Sequence, residues 1–309
     1  MSGGTDSTHI RDLGESEASV WGHWGVEPRV KMVEVGPNSS RLRVHEVGTG
    51  DPVLFVHGTG GYGPYWAPLI AEMSGYRCLL VDRPGWGGSD PVEYPQSGFR
   101  DFTADLLRDA LDALDVHKVH SVGASIGDTW VLALATNYPD RVHSVSLLGG
   151  GPLTDEVEIP GFIRLLRSPL GVLMSKVRFS EKMETNQARQ SGHGATLDEG
   201  RMPQVYLDWK VEITNNTNWR INERQMVRAV TGRRTWKPGV TFNTDDLSSI
   251  SVPVLMICGT GDPVAPVETW QNFVARTPKG RLEVIDGAGH LPWFDNPGHV
   301  AELLREHFQ

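Results

Sequence analysis

Short apolar runs such as Val53-Leu54-Phe55-Val56 and Val254-Leu255-Met256-Ile257 alternate along the chain with segments whose apolar positions recur at helical spacing. The runs predict strands near 30–36, 41–47, 53–57, 77–82, 117–122, 142–148, 253–258 and 281–286, because a strand covered on both faces has no polar side to show. Helices are predicted near 64–74, 100–114, 127–138, 265–276 and 297–308. In one of them Phe102, Leu106, Leu107, Ala110, Leu111 and Leu114 share a side, while Asp101, Asp105, Arg108, Asp109 and Asp112 occupy the other. Strands alternating with helices imply an α/β fold with a mostly parallel, eight-stranded sheet covered by helices. Between 152 and 249 the alternation stops. Helical spacing continues there with Gly and Pro breaks and no predicted strand, so the stretch reads as a helical cap inserted between 29–151 and 250–309, folded over the carboxyl ends of the strands.

The 309 residues, 39% hydrophobic and 22% charged, suffice for one large α/β domain with such an insertion. No stretch approaches the ~20 consecutive apolar residues that cross a bilayer. Met1 to Glu17 lacks a basic start followed by an apolar run, so residues 1–28 are expected to be a mobile polar leader and the protein cytoplasmic. Cys78 and Cys258 lie inside apolar runs, as buried free thiols do, and neither has a partner at metal-binding spacing. No metal site is expected.

Charge divides the chain unevenly. Residues 152–249 hold 14 Lys and Arg against 12 Asp and Glu, a balance of +2, which leaves −11 for the remainder of a chain whose net charge is −9. An acidic chain without a basic stripe lacks the footprint of a nucleic-acid binder. Arg164, Arg167, Arg189, Arg220, Arg224 and Arg228 in the insertion are candidates for steering an anionic substrate, with solvated helix faces as the alternative.

Gly123-Ala124-Ser125-Ile126-Gly127 sits between a predicted strand and a predicted helix, the context in which G-x-S-x-G forms a sharp turn that presents the serine oxygen. A chain with 35 glycines forms such strings by accident, so order matters. An acid in Gly259-Thr260-Gly261-Asp262-Pro263 and a histidine in Gly287-Ala288-Gly289-His290-Leu291 follow the serine, and Val53 to Val56 runs into the glycine-rich His57-Gly58-Thr59-Gly60-Gly61. With these motifs, and with Asp82-Arg83-Pro84-Gly85-Trp86-Gly87-Gly88-Ser89-Asp90 after the fourth strand, the chain resembles the α/β-hydrolase family, of the kind carrying a helical cap.

That resemblance implies a serine hydrolase. Ser125 is the candidate nucleophile, His290 the base that takes its proton and Asp262 the acid that orients the imidazole. The backbone N–H groups of Ile126 and Thr59, with Gly60 in reserve, are the candidate oxyanion hole. Asp286 and Asp155 compete with Asp262; His57 is expected to fix the oxyanion loop rather than transfer protons, and His193 to be a loop histidine of the cap, with contact to the substrate as its alternative. Asp128 departs from the small residue usual after the turn, and is either a helix-start acid or a charge facing the pocket.

Ester or lactone hydrolysis of a small, largely apolar molecule through an acyl-enzyme is the expected activity. The alternatives are a carbon–carbon hydrolase of ring-cleavage products, which would keep the same triad but commonly shows an aromatic residue where this chain has Leu291, and a ligand-binding, lyase or acyltransferase member of the fold. Tyr62, Trp66, Phe162, Leu165 and Trp293 are the expected substrate contacts, with core packing as their alternative. The mechanism requires no cofactor, and the glycines at 85, 87 and 88 form no dinucleotide fingerprint.

Overall fold

The computed structural model of the protein describes residues 14–309 except 152, 156–157, 160, 175–176 and 234. Eight strands are present: β1 (Arg29–Val35), β2 (Ser40–Val47), β3 (Asp51–Val56), β4 (Tyr76–Val81), β5 (Val119–Ala124), β6 (Val142–Leu148), β7 (Val254–Gly259) and β8 (Gly280–Ile285). They form one sheet in the order β1-β2-β4-β3-β5-β6-β7-β8. β2 runs antiparallel to β1 and β4, and every pairing from β4 to β8 is parallel. The predicted strands are all found, with ends shifted by at most two residues. β7 is buried along its whole length, as a continuous apolar run in a sheet covered on both faces must be.

The helices are α1 (Gly14–His23), α2 (Ala67–Ile70), α3 (Phe99–Ala113), α4 (Ile126–Asn137), α5 (Gly161–Arg167), α6 (Pro169–Met174), α7 (Glu181–Gln190), α8 (Gly194–Asp198), α9 (Gln204–Asn216), α10 (Trp219–Val230), α11 (Thr244–Ser248), α12 (Val267–Ala275), α13 (Pro292–Asp295) and α14 (Pro297–His307). The apolar stripe of α3 enters the core through Leu106, Leu107, Ala110 and Leu111. One hydrophobic cluster packs α3 and α4 against one face of the sheet, and the other gathers α2, α9, α13 and α14 on the opposite face. Both cysteines are buried and unpaired. Among the described residues no helix is long and apolar enough to cross a membrane.

Two expectations need correction here. The predicted helix over 64–74 is a short 3-10 turn, Gly63–Trp66, followed by the single turn of α2, with a proline opening each segment. Nor is the polar leader a leader throughout: residues 1–13 lie outside the described ones, but 14–23 form α1, with Val20 and Trp21 buried and Glu17 held 3.0 Å from the Arg43 guanidinium. Its serines and glutamates concealed the two apolar anchors that dock it.

From β6 to β7 the chain is helical, carrying α5 to α11. The strand-like pairings there among the described residues are the isolated bridges Thr154 to Phe242 and Thr231 to Trp236.

Candidate active site

Ser125 stands between the end of β5 and the first turn of α4 with φ 54° and ψ −122°, in the left-handed half of the map where a side chain is strained by about 1–3 kcal/mol. Its neighbours make the turn possible. A Cβ on Gly127 would lie 2.1 Å from the Val56 carbonyl oxygen, and one on Gly123 would lie 2.6 Å from the Asp128 Cα. The Ser125 N–H is shared between the carbonyls of Leu148 at 3.2 Å and Gly149 at 3.0 Å, which ties the turn to the end of β6.

His290 comes from the loop after β8, and Asp262 from the loop after β7. The His290 Nδ1 lies 3.0 Å from both Asp262 carboxylate oxygens, and Asp262 also accepts from the Val264 N–H at 2.9 Å. Nδ1 therefore carries the proton, leaving Nε2 free to act as a base. Of the competing acids, Asp286 accepts from Thr260 and Asp155 from Thr241, and both are exposed. Ser125 and His290 open onto one cavity of about 750 Å3, together with Thr59, Gly60, Ile126 and Leu291.

The loop from His57 to Gly61 is braced from both the core and the inserted helices. His57 is fully buried; its Nδ1–H donates to the Gly58 carbonyl at 2.7 Å and its Nε2 accepts from the Arg83 N–H at 2.9 Å. Burial, reinforced by the Arg83 charge, pushes its imidazole down to about 3. From the cap, Glu223 of α10 accepts from the Thr59 hydroxyl at 2.5 Å, and the Lys210 ammonium of α9 donates to the Gly60 carbonyl.

A pH dependence follows. On acidification the unfolded chain protonates its histidine near 6.5, whereas folded His57 holds out to about 3, so its contribution to stability is lost as pH falls through that window. The stability advantage of wild type over His57→Gln should therefore narrow by about 1.4 kcal/mol per pH unit there. Urea melts at a series of pH values test it, and a constant difference would mean that His57 titrates alike in both states.

The cap also grips the histidine loop. The His290 N–H donates to the Ser191 carbonyl at 2.9 Å, and the Leu291 N–H donates to His193 Nε2 at 3.1 Å. His193 in turn gives its Nδ1–H to Asp295 at 3.0 Å, and the other Asp295 oxygen accepts from the Gly289 N–H at 2.8 Å. His193 is thus more than a loop residue: it lines the cavity and fixes the backbone beside His290.

Asp128 is wholly buried and does not line the cavity. One oxygen accepts from the Leu148 N–H at 3.3 Å, and the other has no partner among the described residues. Burial, with the Asp262 charge adding to it, holds the acid well above the usual carboxylate range and favours its neutral form. It is therefore not a charge set against an oxyanion.

Of the expected substrate contacts, Tyr62, Trp66, Leu165 and Trp293 do not line the cavity. Tyr62, Trp66 and Trp293 are fully buried in the core: Trp66 stacks on Trp293 at 4.6 Å, and Tyr62 meets Trp209 edge-on at 5.2 Å. Leu165 is not among the cavity's lining residues, and the Phe162 side chain lies outside the described residues. The cap arginines are also elsewhere; Arg164, Arg167 and Arg228 line a separate pocket. The walls come instead from Ile163, Met183, Leu207, Met226, Val227 and Val230, with Glu184, Lys210 and Glu223 as the charged members. Lys210 was open to detection, since Tyr206, Leu207, Ile213 and Thr214 place it amid the buried side of α9. Burial lowers its ammonium below the ordinary value, with the Glu184 charge acting the other way.

A strand-turn-helix serine, an acid-oriented histidine and a glycine-rich loop around one cavity define a class, and the chain belongs to the alpha/beta hydrolase fold family, whose model matches residues 51–297. It is an enzyme of that class. Over 284 residues it is 28% identical to the 2-hydroxy-6-oxononadienedioate/2-hydroxy-6-oxononatrienedioate hydrolase of Burkholderia vietnamiensis, covering 89% of this chain and 94% of that one. Among solved structures, 2-hydroxy-6-oxo-6-phenylhexa-2,4-dienoate hydrolase from Rhodococcus sp. strain RHA1 superposes with a TM-score of 0.70 at 19% identity, over 92% of this chain and 99% of that one. Naproxen esterase from Bacillus subtilis does so with 0.71 at 20%, over 97% and 100%. The fold therefore does not separate the two chemistries.

Proposed function

We propose that the protein hydrolyses a carbon–carbon bond in an anionic 2-hydroxy-6-oxo-dienoate of the ring-cleavage type. The observation that carries this is the match along nearly the whole Burkholderia hydrolase. A 2-hydroxy-6-oxo dienedioate contains no ester or lactone, so a hydrolase acting on it must cut between carbons. Other relatives of the same name agree, and they overturn the expectation of ester or lactone hydrolysis.

The residues around the cavity suit such a substrate. In its keto form the chain is a 2,6-dione, and the bond between C5 and C6 breaks once a nucleophile adds to the C6 carbonyl. Ser125 supplies that nucleophile, His290 takes its proton and Asp262 holds the imidazole. The N–H groups of Ile126 and Thr59 receive the oxyanion. The departing C5 carries the bonding electrons, which spread through the dienolate to the 2-oxo acid; its proton comes from His290. Water then releases the acyl group from Ser125 as a carboxylic acid. Lys210, the sole Lys or Arg among the cavity's described lining residues, receives the substrate carboxylate.

The test is the loss of dienolate absorbance on mixing a 2-hydroxy-6-oxo-dienedioate with enzyme, set against p-nitrophenyl acetate. Wild type should favour the dienedioate in kcat/KM; preference for the ester would overturn the reading. Lys210→Met should lower kcat/KM on the dienedioate by about tenfold to a hundredfold, as expected for a charge-assisted contact, and leave the neutral ester within a few-fold. An equal fall on both would move Lys210 from substrate binding to support of the Gly60 loop.

A further inference from the structure

Several arginines of this acidic chain face a carboxylate: Arg41, Arg43, Arg77, Arg83, Arg100 and Arg108 do so at 2.5 to 3.3 Å. Four do not. Arg164 and Arg167 of α5, Arg228 in the last turn of α10 and Arg233 just beyond it have no carboxylate partner among the described residues, and they converge on one pocket of about 300 Å3. The ends of α5 and α10 offset about half a charge each, which leaves most of the positive charge uncompensated among the described residues. Like charges gathered in a concavity repel one another, and nothing in the packing requires it, since Arg164, Arg228 and Arg233 are exposed. Ser168 and Thr231 also line the concavity.

We propose that this pocket is an anion site that takes a phosphate or diphosphate group. Guanidinium forks match the oxygens of phosphate in pairs, and a multivalent anion fits the uncompensated charge better than a single carboxylate does. The site is distinct from the substrate cavity but shares its walls: Ile163 precedes Arg164, and Val227 and Val230 flank Arg228, all three facing the cavity. A bound anion would cross-link α5 to the end of α10. The proposal is independent of the reaction assigned above.

The phosphate could belong to a soluble compound or to a lipid headgroup, and two probes separate them. Titration calorimetry of the full chain with inorganic pyrophosphate, against sodium chloride of matched ionic strength, reads the first; sedimentation with phosphatidylglycerol vesicles reads the second. Binding in either assay should weaken at least about tenfold in Arg164→Gln/Arg228→Gln, from the loss of two charge-assisted contacts, and persist in Arg189→Gln, whose exposed guanidinium pairs with Asp198 outside the pocket. Should the double variant fold poorly, Arg233→Gln serves in its place. No binding to either probe beyond the salt control, or binding unchanged by the pocket variants, would overturn the proposal.

Discussion

Ser125→Ala is expected to lower kcat for dienedioate cleavage on the order of 10^4- to 10^6-fold. The magnitude follows from the roles proposed for the group. Without the hydroxyl no covalent intermediate forms, and the base held 3.0 Å from Asp262 has no nucleophile to activate. The fold should survive, because the turn is built from main-chain bonds to Leu148 and Gly149 and from the glycines at 123 and 127, none of which the hydroxyl supplies. His290→Ala should fall by a similar factor, and the double variant should be little worse than either, since groups that act as a unit do not add. Single-turnover assays check this. Retention of a tenth of wild-type activity by Ser125→Ala would mean that water attacks the carbonyl directly under His290, with the serine in a lesser role.

The sheet was legible because its strands are buried on both sides and read as uninterrupted apolar runs; β7 is the clearest instance. The Ser125 turn and the His290 loop were legible for a related reason. Each makes a local backbone demand that glycine alone meets, so the sequence around it is constrained at short range.

The cavity walls obey no such local rule. Which side of α9 or α10 meets the cavity depends on how the inserted helices settle, and aromatics near the motifs in sequence turned out to be core: Trp66 and Trp293 are fully buried and stack on each other. A half-buried lysine between aromatic and aliphatic neighbours, Lys210, was the better guide, because taking an ammonium out of water is costly unless something negative comes to it. The sequence placed carbon–carbon hydrolysis among the alternatives but could not rank it first, since ester and carbon–carbon hydrolysis ask the same triad to add to a carbonyl and differ in what leaves.

Glu223→Ala is expected to cost about 3–5 kcal/mol of stability, the usual penalty for stranding one member of a buried ion pair. Arg83 is fully buried and Glu223 nearly so, with 3.3 Å between Nη2 and Oε2. The guanidinium also donates to the Gly58 carbonyl at 3.0 Å and lies over the Trp86 ring, while Glu223 accepts from Trp86 Nε1 at 3.1 Å and from the Thr59 hydroxyl. One carboxylate thus joins the cap to two core loops. In a chain of this size such a loss corresponds to a fall in Tm of roughly 10 °C. Two effects are superposed in that variant, and a second one parts them. Arg83→Met/Glu223→Leu removes both charges and should recover most of the stability, as buried pairs replaced by apolar residues often do. It cannot restore the hold on Thr59, so kcat should remain depressed in the double variant while KM changes little. Thermal melts and steady-state kinetics on the same preparations decide between the two roles. Recovery of kcat together with Tm would mean that Glu223 serves the fold alone and that the oxyanion loop keeps its shape through His57.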